Sequence, residues 1–252
     1  MKKLENKVAV ITGGNSGIGF ATAKEFISQG AKVIITGRKQ DLVDKAAKEL
    51  GATGIVADQS SLKDINELVE KVKSQFGKID ILFLNAGTWN PVPLEAMTEE
   101  YYVSFMDANL KGGFFTLLNF IPLLNEGSSV TFMSAISAYG GGDGSIAIYS
   151  ASRAAINSLT RTLSYELAAK GIRVNVVCPG PTDTPVFGKA GLPAEALKQV
   201  MGKLKQHIPL KRFGRAEDVA KLVSFLSSDD ASFITGSEYV IDGGISRVPL
   251  MS

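Results

Sequence analysis

Cysteine and histidine are almost missing: the 252 residues hold one of each, Cys178 and His207. A lone thiol cannot form an internal disulfide, and no pair of cysteines or histidines has zinc-ligand spacing, so no metal site is expected. Nothing near His207 resembles a catalytic triad, and that residue reads as structural. Charge of one sign is equally scarce. The 27 basic and 25 acidic side chains are interspersed and leave a net charge of +2. That balance argues against a nucleic-acid footprint or a membrane-seeking basic face. No apolar run approaches the roughly 18 residues that cross a bilayer. The apolar stretch between Lys7 and Gly13 is too short for a signal-peptide core, so the cytoplasm is the expected location. Repeats, low-complexity tracts and linkers are absent as well. The expected partner is a small molecule.

What the chain does have is an ordinary globular composition, 45% hydrophobic and 21% charged, at a length that suits one large α/β domain over residues 1–252. Short β-branched runs alternate with longer amphipathic stretches. Strands are expected at Val8–Thr12, Lys32–Thr36, Gly54–Ala57, Ile79–Leu84, Ser129–Met133, Arg173–Cys178 and Tyr239–Ile241. Helices fill the gaps, among them a long helical region from Glu99 to Leu124 and a helix from about Ile148 to Lys170. Strands as evenly apolar as Val-Ala-Val-Ile and Ile-Leu-Phe-Leu imply a mostly parallel sheet covered on both faces. The fold class is therefore α/β, a doubly wound (Rossmann) seven-stranded sheet, whose ligands bind beyond the carboxyl ends of the strands.

The residues just past those ends carry the chemistry. After the first strand comes Thr12-Gly13-Gly14-Asn15-Ser16-Gly17-Ile18-Gly19, a glycine-rich turn opening into a helix. Such a turn lets a pyrophosphate approach the positive end of a helix. At the end of the second strand, a carboxylate would favour NAD by binding its ribose hydroxyls. The chain has Arg38 and Lys39 there instead. Either these cations pair with the 2′-phosphate of NADP(H), the preferred cofactor, or Arg38 stacks on the adenine and NAD(H) is also accepted. Farther on, Tyr149 and Arg153 stand four residues apart in a helical stretch. That spacing sets a fixed cation beside a phenol that could act as a general acid.

In this context the glycine spacing, Asp58, Asn85-Ala86-Gly87, Asn109, Tyr149, Pro179-Gly180 and the closing Ile241-Asp242-Gly243-Gly244, in that order along the whole chain, resemble the short-chain dehydrogenase/reductase family. The resemblance implies that Asp58, with neighbouring Gln59, lies at the adenine, and that Asn85, Ala86 and Gly87 lie on the ribose side. It also implies that Pro179, Gly180, Thr182 and Thr184 meet the nicotinamide carboxamide, with a substrate lid at about 185–206. Tyr149 is the implied proton donor, Arg153 stands where the family has lysine, and Asn109 supports a water chain to that basic residue. The family also places a serine after strand five to hold the substrate oxygen. Ser134 matches by strand context, but it lies 15 residues before Tyr149, two more than the family's commonest interval, so Ser137 stays open as the alternative. Arginine keeps lysine's charge but is a poor proton relay.

The implied activity is hydride transfer between NADP(H) and a ketone, aldehyde or secondary alcohol, in a homotetramer whose long helices around Asn109 and Tyr149 pack against symmetry mates. Two rivals remain. One is a 3-oxoacyl thioester reductase, which wants a basic patch for an acidic carrier protein that is not evident in the sequence. The other is a cofactor-binding regulator of weak activity, motivated by Arg153.

Overall fold

The computed structural model describes residues 2–140, 142–185 and 194–247. Strands β1 (Val8–Ile11), β2 (Lys32–Gly37), β3 (Thr53–Val56), β4 (Ile79–Leu84), β5 (Leu124–Met133), β6 (Arg173–Pro179) and β9 (Glu238–Ile241) form one sheet. Its order is β3-β2-β1-β4-β5-β6-β9, and every pair is parallel. A second parallel pair joins β7 (Thr182–Asp183) to β8 (Gly214–Arg215). The helices are α1 (Gly17–Ser28), α2 (Gln40–Leu50), α3 (Leu62–Phe76), α4 (Glu99–Met106), α5 (Gly112–Phe120), α6 (Ala147–Ala168), α7 (Ala194–His207) and α8 (Ala216–Ser227). The order reverses direction at β1, with β2 on one side and β4 on the other, the point beyond whose strand ends doubly wound sheets bind their ligands.

Alternation along the strands builds two cores. Val10, Ile34, Leu82, Val130 and Phe132 face one way, onto Leu68 and Val72 of α3, Leu117 and Phe120 of α5 and Ile156 of α6. Ala9, Ile11, Ile35, Ile81 and Phe83 face the other way, onto Phe26 of α1 and Val219, Val223 and Leu226 of α8. Both faces are thus apolar, which is why the strands read as unbroken hydrophobic runs.

The helical region expected from Glu99 to Leu124 consists of α4, a π turn over Asp107–Lys111, α5 and a 3-10 turn at Ile121–Leu123, and it gives way to β5 at Leu124. Strand β5 starts early through a register shift against β4 between Ile79 and Ile81. Of the segment expected to form a lid, residues 186–193 lie outside the described residues, and 194–206 belong to α7.

Candidate active site

The glycine turn takes the shape its sequence anticipates. Gly13 has φ +65° and Gly17 φ +54°, backbone that β-carbon residues rarely adopt. A Cβ on Gly19 would stand 2.4 Å from the Gly13 carbonyl oxygen, so the turn closes only with glycine there. Helix α1 starts from an extended Ser16 whose side chain makes no cap bond, and its first turn holds no acid. Its leading N–H groups therefore remain open donors at the positive end of the helix dipole. Thr184 closes the far side, its Cβ 3.6 Å from where a Cβ of Gly17 would be.

Around this turn the sequence-derived residues gather. Asn15 lies against Gly37, whose Cβ would be 2.5 Å from the Asn15 Oδ1. That sets exposed Arg38 and Lys39, past the end of β2, beside the turn. Ile18 packs onto the core shared by β1 and α1. Asn85 turns out to be a clamp: its Nδ2 donates to the carbonyls of Thr12 at 2.9 Å and Gly13 at 3.2 Å. The Thr12 hydroxyl oxygen accepts from the backbone N–H groups of Asn85 and Ala86, both at 3.0 Å. Thr12 was not singled out from sequence, although a strand-end hydroxyl next to a glycine turn is a usable signal. Asp58 spends one oxygen on the N–H and hydroxyl of Ser60, at 2.9 and 2.8 Å. Gln59 donates to the Ala86 carbonyl at 3.3 Å. At the end of β6, Pro179 pairs with Ile241 of β9, the Gly180 N–H donates to the Ile241 carbonyl at 3.0 Å, and the buried Thr182 hydroxyl donates to the Gly180 carbonyl at 2.9 Å.

The second cluster sits past β4 and β5. Arg153 is 5% exposed, and its Cζ lies 4.9 Å from the centroid of the Tyr149 ring. One guanidinium nitrogen donates to the Met133 carbonyl at 3.0 Å and the other to Asn109 Oδ1 at 2.7 Å. The same Oδ1 accepts from the Thr88 N–H at 3.0 Å, while Asn109 Nδ2 donates to the Phe105 carbonyl at 3.1 Å. Arg153 Nε is buried without a partner. Gly87 leaves the room: a Cβ there would stand 2.6 Å from an Arg153 nitrogen. The π turn carries Asn109 on one extra residue of helical backbone, a placement often found at functional sites. Where the resemblance puts water between asparagine and the basic residue, the longer arginine bonds Asn109 directly.

A buried cation is costly without compensation. Here two amide-type oxygens and the face of the Tyr149 ring supply it. No ion pair to Arg153 occurs among the described residues. Phe105 braces Tyr149 edge-on, with centroids 6.3 Å apart, and Tyr101 packs on Phe105 at 5.3 Å. These aromatics were missed from sequence, although Tyr101, Phe105 and Asn109 follow one another at helical i,i+4 spacing.

Ser134 is 3% exposed, and its hydroxyl donates to the Arg153 backbone carbonyl at 3.1 Å, tying the end of β5 to α6. His207 Nδ1 lies 2.9 Å from the Lys203 carbonyl, a local contact within α7. Among the described residues there is no group of three His, Cys, Asp or Glu that could hold a metal, and no helix long and apolar enough to cross a membrane.

Residues 13–246 match the family model described as enoyl-(acyl carrier protein) reductase. The chain is 38% identical over 251 residues to the 3-oxoacyl-[acyl-carrier-protein] reductase FabG of Thermotoga maritima, covering 96% of this chain and 99% of the relative. It is 34% identical to the NADP-dependent (R)-specific alcohol dehydrogenase of Lentilactobacillus kefiri, covering 96% of this chain and 97% of that one. A crystal structure of a short-chain dehydrogenase/reductase from Brucella melitensis superposes with a TM-score of 0.90 at 36% identity, covering 97% of this chain and 99% of that one. A glycine turn, an asparagine clamp and a tyrosine backed by a buried cation therefore stand here on a shared scaffold: the chain belongs to the short-chain dehydrogenase/reductase family, oxidoreductases that use a nicotinamide cofactor on alcohol and carbonyl groups.

Proposed function

We propose that this protein is an NADP(H)-dependent carbonyl reductase, or alcohol dehydrogenase in reverse, acting on ketones, aldehydes or secondary alcohols. The observation that carries this reading is the Tyr149 ring set against a buried guanidinium that Asn109 and the end of β5 hold in place. The cradle fits a dinucleotide, because the open N–H groups of α1 and the cramped turn at Gly13, Gly17 and Gly19 admit a pyrophosphate. Arg38 and Lys39 would pair with a 2′-phosphate, since no carboxylate ends β2 to repel it. Asp58 would face the adenine, Ala86 and Gly87 the ribose, and Gly180, Thr182 and Thr184 the carboxamide. The Thr182 hydroxyl donates to Gly180 and still has acceptor capacity for an amide N–H.

When bound, the nicotinamide supplies the hydride in reduction and accepts it in oxidation. Tyr149 gives the proton to the substrate oxygen, and the charge on Arg153 offsets the negative charge left on the phenol. A guanidinium does not release its protons in proteins, so the phenol is refilled from solvent and not through residue 153. Asn109 acts as the brace that keeps Arg153 in register.

A second reading, 3-oxoacyl thioester reduction, gains from the fold: Lys198, Lys203 and Lys205 stand exposed on α7, where a single acidic residue, Glu195, accompanies them. A homotetramer suits the outer groove of about 530 Å³ between the α4–α5 segment and α6, lined by Met106, Leu110, Phe114 and Leu159. An apolar face of this kind is the sort a second copy covers.

The test is Tyr149→Phe. Turnover of NADPH with a panel of ketones, aldehydes and diketones should fall about 100- to 10,000-fold in kcat/KM, with NADPH affinity unchanged by fluorescence titration. Retained turnover would remove the tyrosine from the reaction. NADPH binding by the wild type with no turnover on any substrate would favour the regulator instead.

A further inference from the structure

Helix α6 carries Tyr149 in its first turn, the part of a helix with the least support of its own. The helix runs out of a 3-10 turn, Gly144–Ile146, and its N-cap, Ile146, makes no side-chain cap bond. Its first turn holds no acid either. Serine, threonine, asparagine or aspartate at the cap would anchor this turn, and isoleucine does not. The oxygen of a tyrosine lies on the axis of its ring, so it moves with χ1 and with the backbone of the turn. Support for the Tyr149 hydroxyl must therefore come from outside the first turn of α6.

Two contacts supply it. The Arg153 guanidinium, 4.9 Å from the ring centroid, belongs to the same helix one turn on, and its bonds to Met133 and Asn109 fix that later turn. Phe105 comes from α4 and reaches the first turn itself. Its ring stands at 86° to that of Tyr149 with centroids 6.3 Å apart, a separation that perpendicular aromatic pairs favour. Phe105 is held in turn. It is 4% exposed, Tyr101 one helical turn earlier packs on it at 5.3 Å, and Asn109 Nδ2 donates to its carbonyl at 3.1 Å. The Tyr101 hydroxyl donates to the Asn90 carbonyl at 2.7 Å, and the Thr88 N–H donates to Asn109 Oδ1 at 3.0 Å. The loop leaving β4 is thus tied at two points to the helical segment that carries Phe105.

We infer that Phe105 is a positioning residue for the reaction: its ring holds the Tyr149 phenol where the hydroxyl meets the substrate oxygen, and Tyr101 couples this brace to the loop after β4. The role rests on the carbonyl-reductase reading above. Because Phe105 acts through the phenol ring, its loss is felt in kcat and leaves cofactor and substrate binding alone. Leucine at this place keeps an apolar contact but lacks the flat ring, so the phenol gains room to sway about χ1.

The experiment compares Phe105→Leu, Phe105→Tyr, Tyr101→Leu and Tyr149→Phe with a control, Phe120→Leu, made in the fully buried core under α5. It reads kcat and KM with NADPH and the best ketone of the panel, NADPH affinity, and the thermal unfolding midpoint. Phe105→Leu should lower kcat about 10- to 100-fold, the upper figure being what a displacement of about 1 Å costs a reacting group, with KM and NADPH affinity unchanged. Phe105→Tyr keeps the ring and should restore most of kcat, and Tyr101→Leu should lose less than Phe105→Leu. Phe120→Leu should lower the midpoint at least as far with kcat intact. Wild-type kcat in Phe105→Leu overturns the assignment, and so does an equal loss of kcat in Phe120→Leu at a similar midpoint. Should Phe105→Leu fail to fold, Tyr101→Leu decides, and wild-type kcat there overturns the assignment. In each of these cases an inactive Tyr149→Phe leaves the carbonyl-reductase reading standing. If Tyr149→Phe turns over like the wild type, or the wild type turns over nothing, both fall together.

Discussion

Helix α8 closes its own N-terminus, whereas α1 leaves its N-terminus open. In α8 the Asp218 carboxylate accepts from the Arg215 N–H at 2.9 Å and pairs with the side chains of Arg212 at 2.6 Å and Arg215 at 3.2 Å. Helix α3 does likewise: the Ser61 hydroxyl oxygen accepts from the Asp64 N–H at 3.2 Å, and Asp64 accepts from the Asp58 N–H at 2.9 Å. The Asp58 N–H, and after it the Ser61 hydroxyl, hold the Asp64 carboxyl below its ordinary value. Helix α1 has neither an acid nor a side-chain cap. A cap contributes about 1 kcal/mol to stability, and α1 forgoes it. The same dipole and the same donors therefore serve stability in two helices and remain available to an external anion in the third.

The largest expected break in this contrast is Gly19→Ala. The added Cβ meets the Gly13 carbonyl oxygen at 2.4 Å, so the turn must shift. NADPH affinity, read by fluorescence titration, should fall about 100-fold or more, since displacement of a positioned group by about 1 Å costs that much. Unchanged affinity would show that the phosphates bind elsewhere.

Next in size is Arg38→Ala, at the rim of the open helix end. A charge-assisted contact to a 2′-phosphate is worth about 1.5–3 kcal/mol, so NADPH affinity should fall about 10- to 100-fold while NADH affinity holds. Equal losses for the two cofactors would mean that Arg38 touches only what they share.

The smallest effect is expected at the closed end. The Arg215 N–H is the main cause that draws the Asp218 carboxyl from 3.8 down to about 2, against the opposing effect of its burial, with Arg212 assisting. A depressed carboxyl contributes stability above its unfolded value and loses it as pH falls through its folded value. Asp218→Asn should therefore cost about 1 kcal/mol near neutral pH. In urea unfolding, the gap between variant and wild type should shrink between pH 3.8 and about 2. A gap that persists unchanged below pH 2 would rule out the charge as its source.

Much of this was legible beforehand. Unbroken apolar strands announced a covered parallel sheet, and the glycine turn announced an open helix end, because both depend on residues adjacent in the chain. The π turn at Asp107–Lys111 was not legible. One extra residue in a helical ladder barely disturbs the apolar period, and the turn is stabilised by what Asn109 meets from outside its own helix, the Arg153 guanidinium and the Thr88 N–H. The sequence also leaves Ser134 and Ser137 as alternatives, and the bond from Ser134 to a carbonyl 19 residues away is a contact that only the folded chain brings about.

Local chemistry in this chain determined the alternation of strands and helices, the uncapped start of α1 and the pairing of a tyrosine with a cation on one helix face. Tertiary contact decided which donors are used up: Arg153 on Asn109 and Met133, Asn85 on the glycine turn, Ser134 on the backbone of α6. Sequence spacing brings a group within reach of its neighbours, but whether a hydrogen is still free depends on acceptors that only the folded chain brings near.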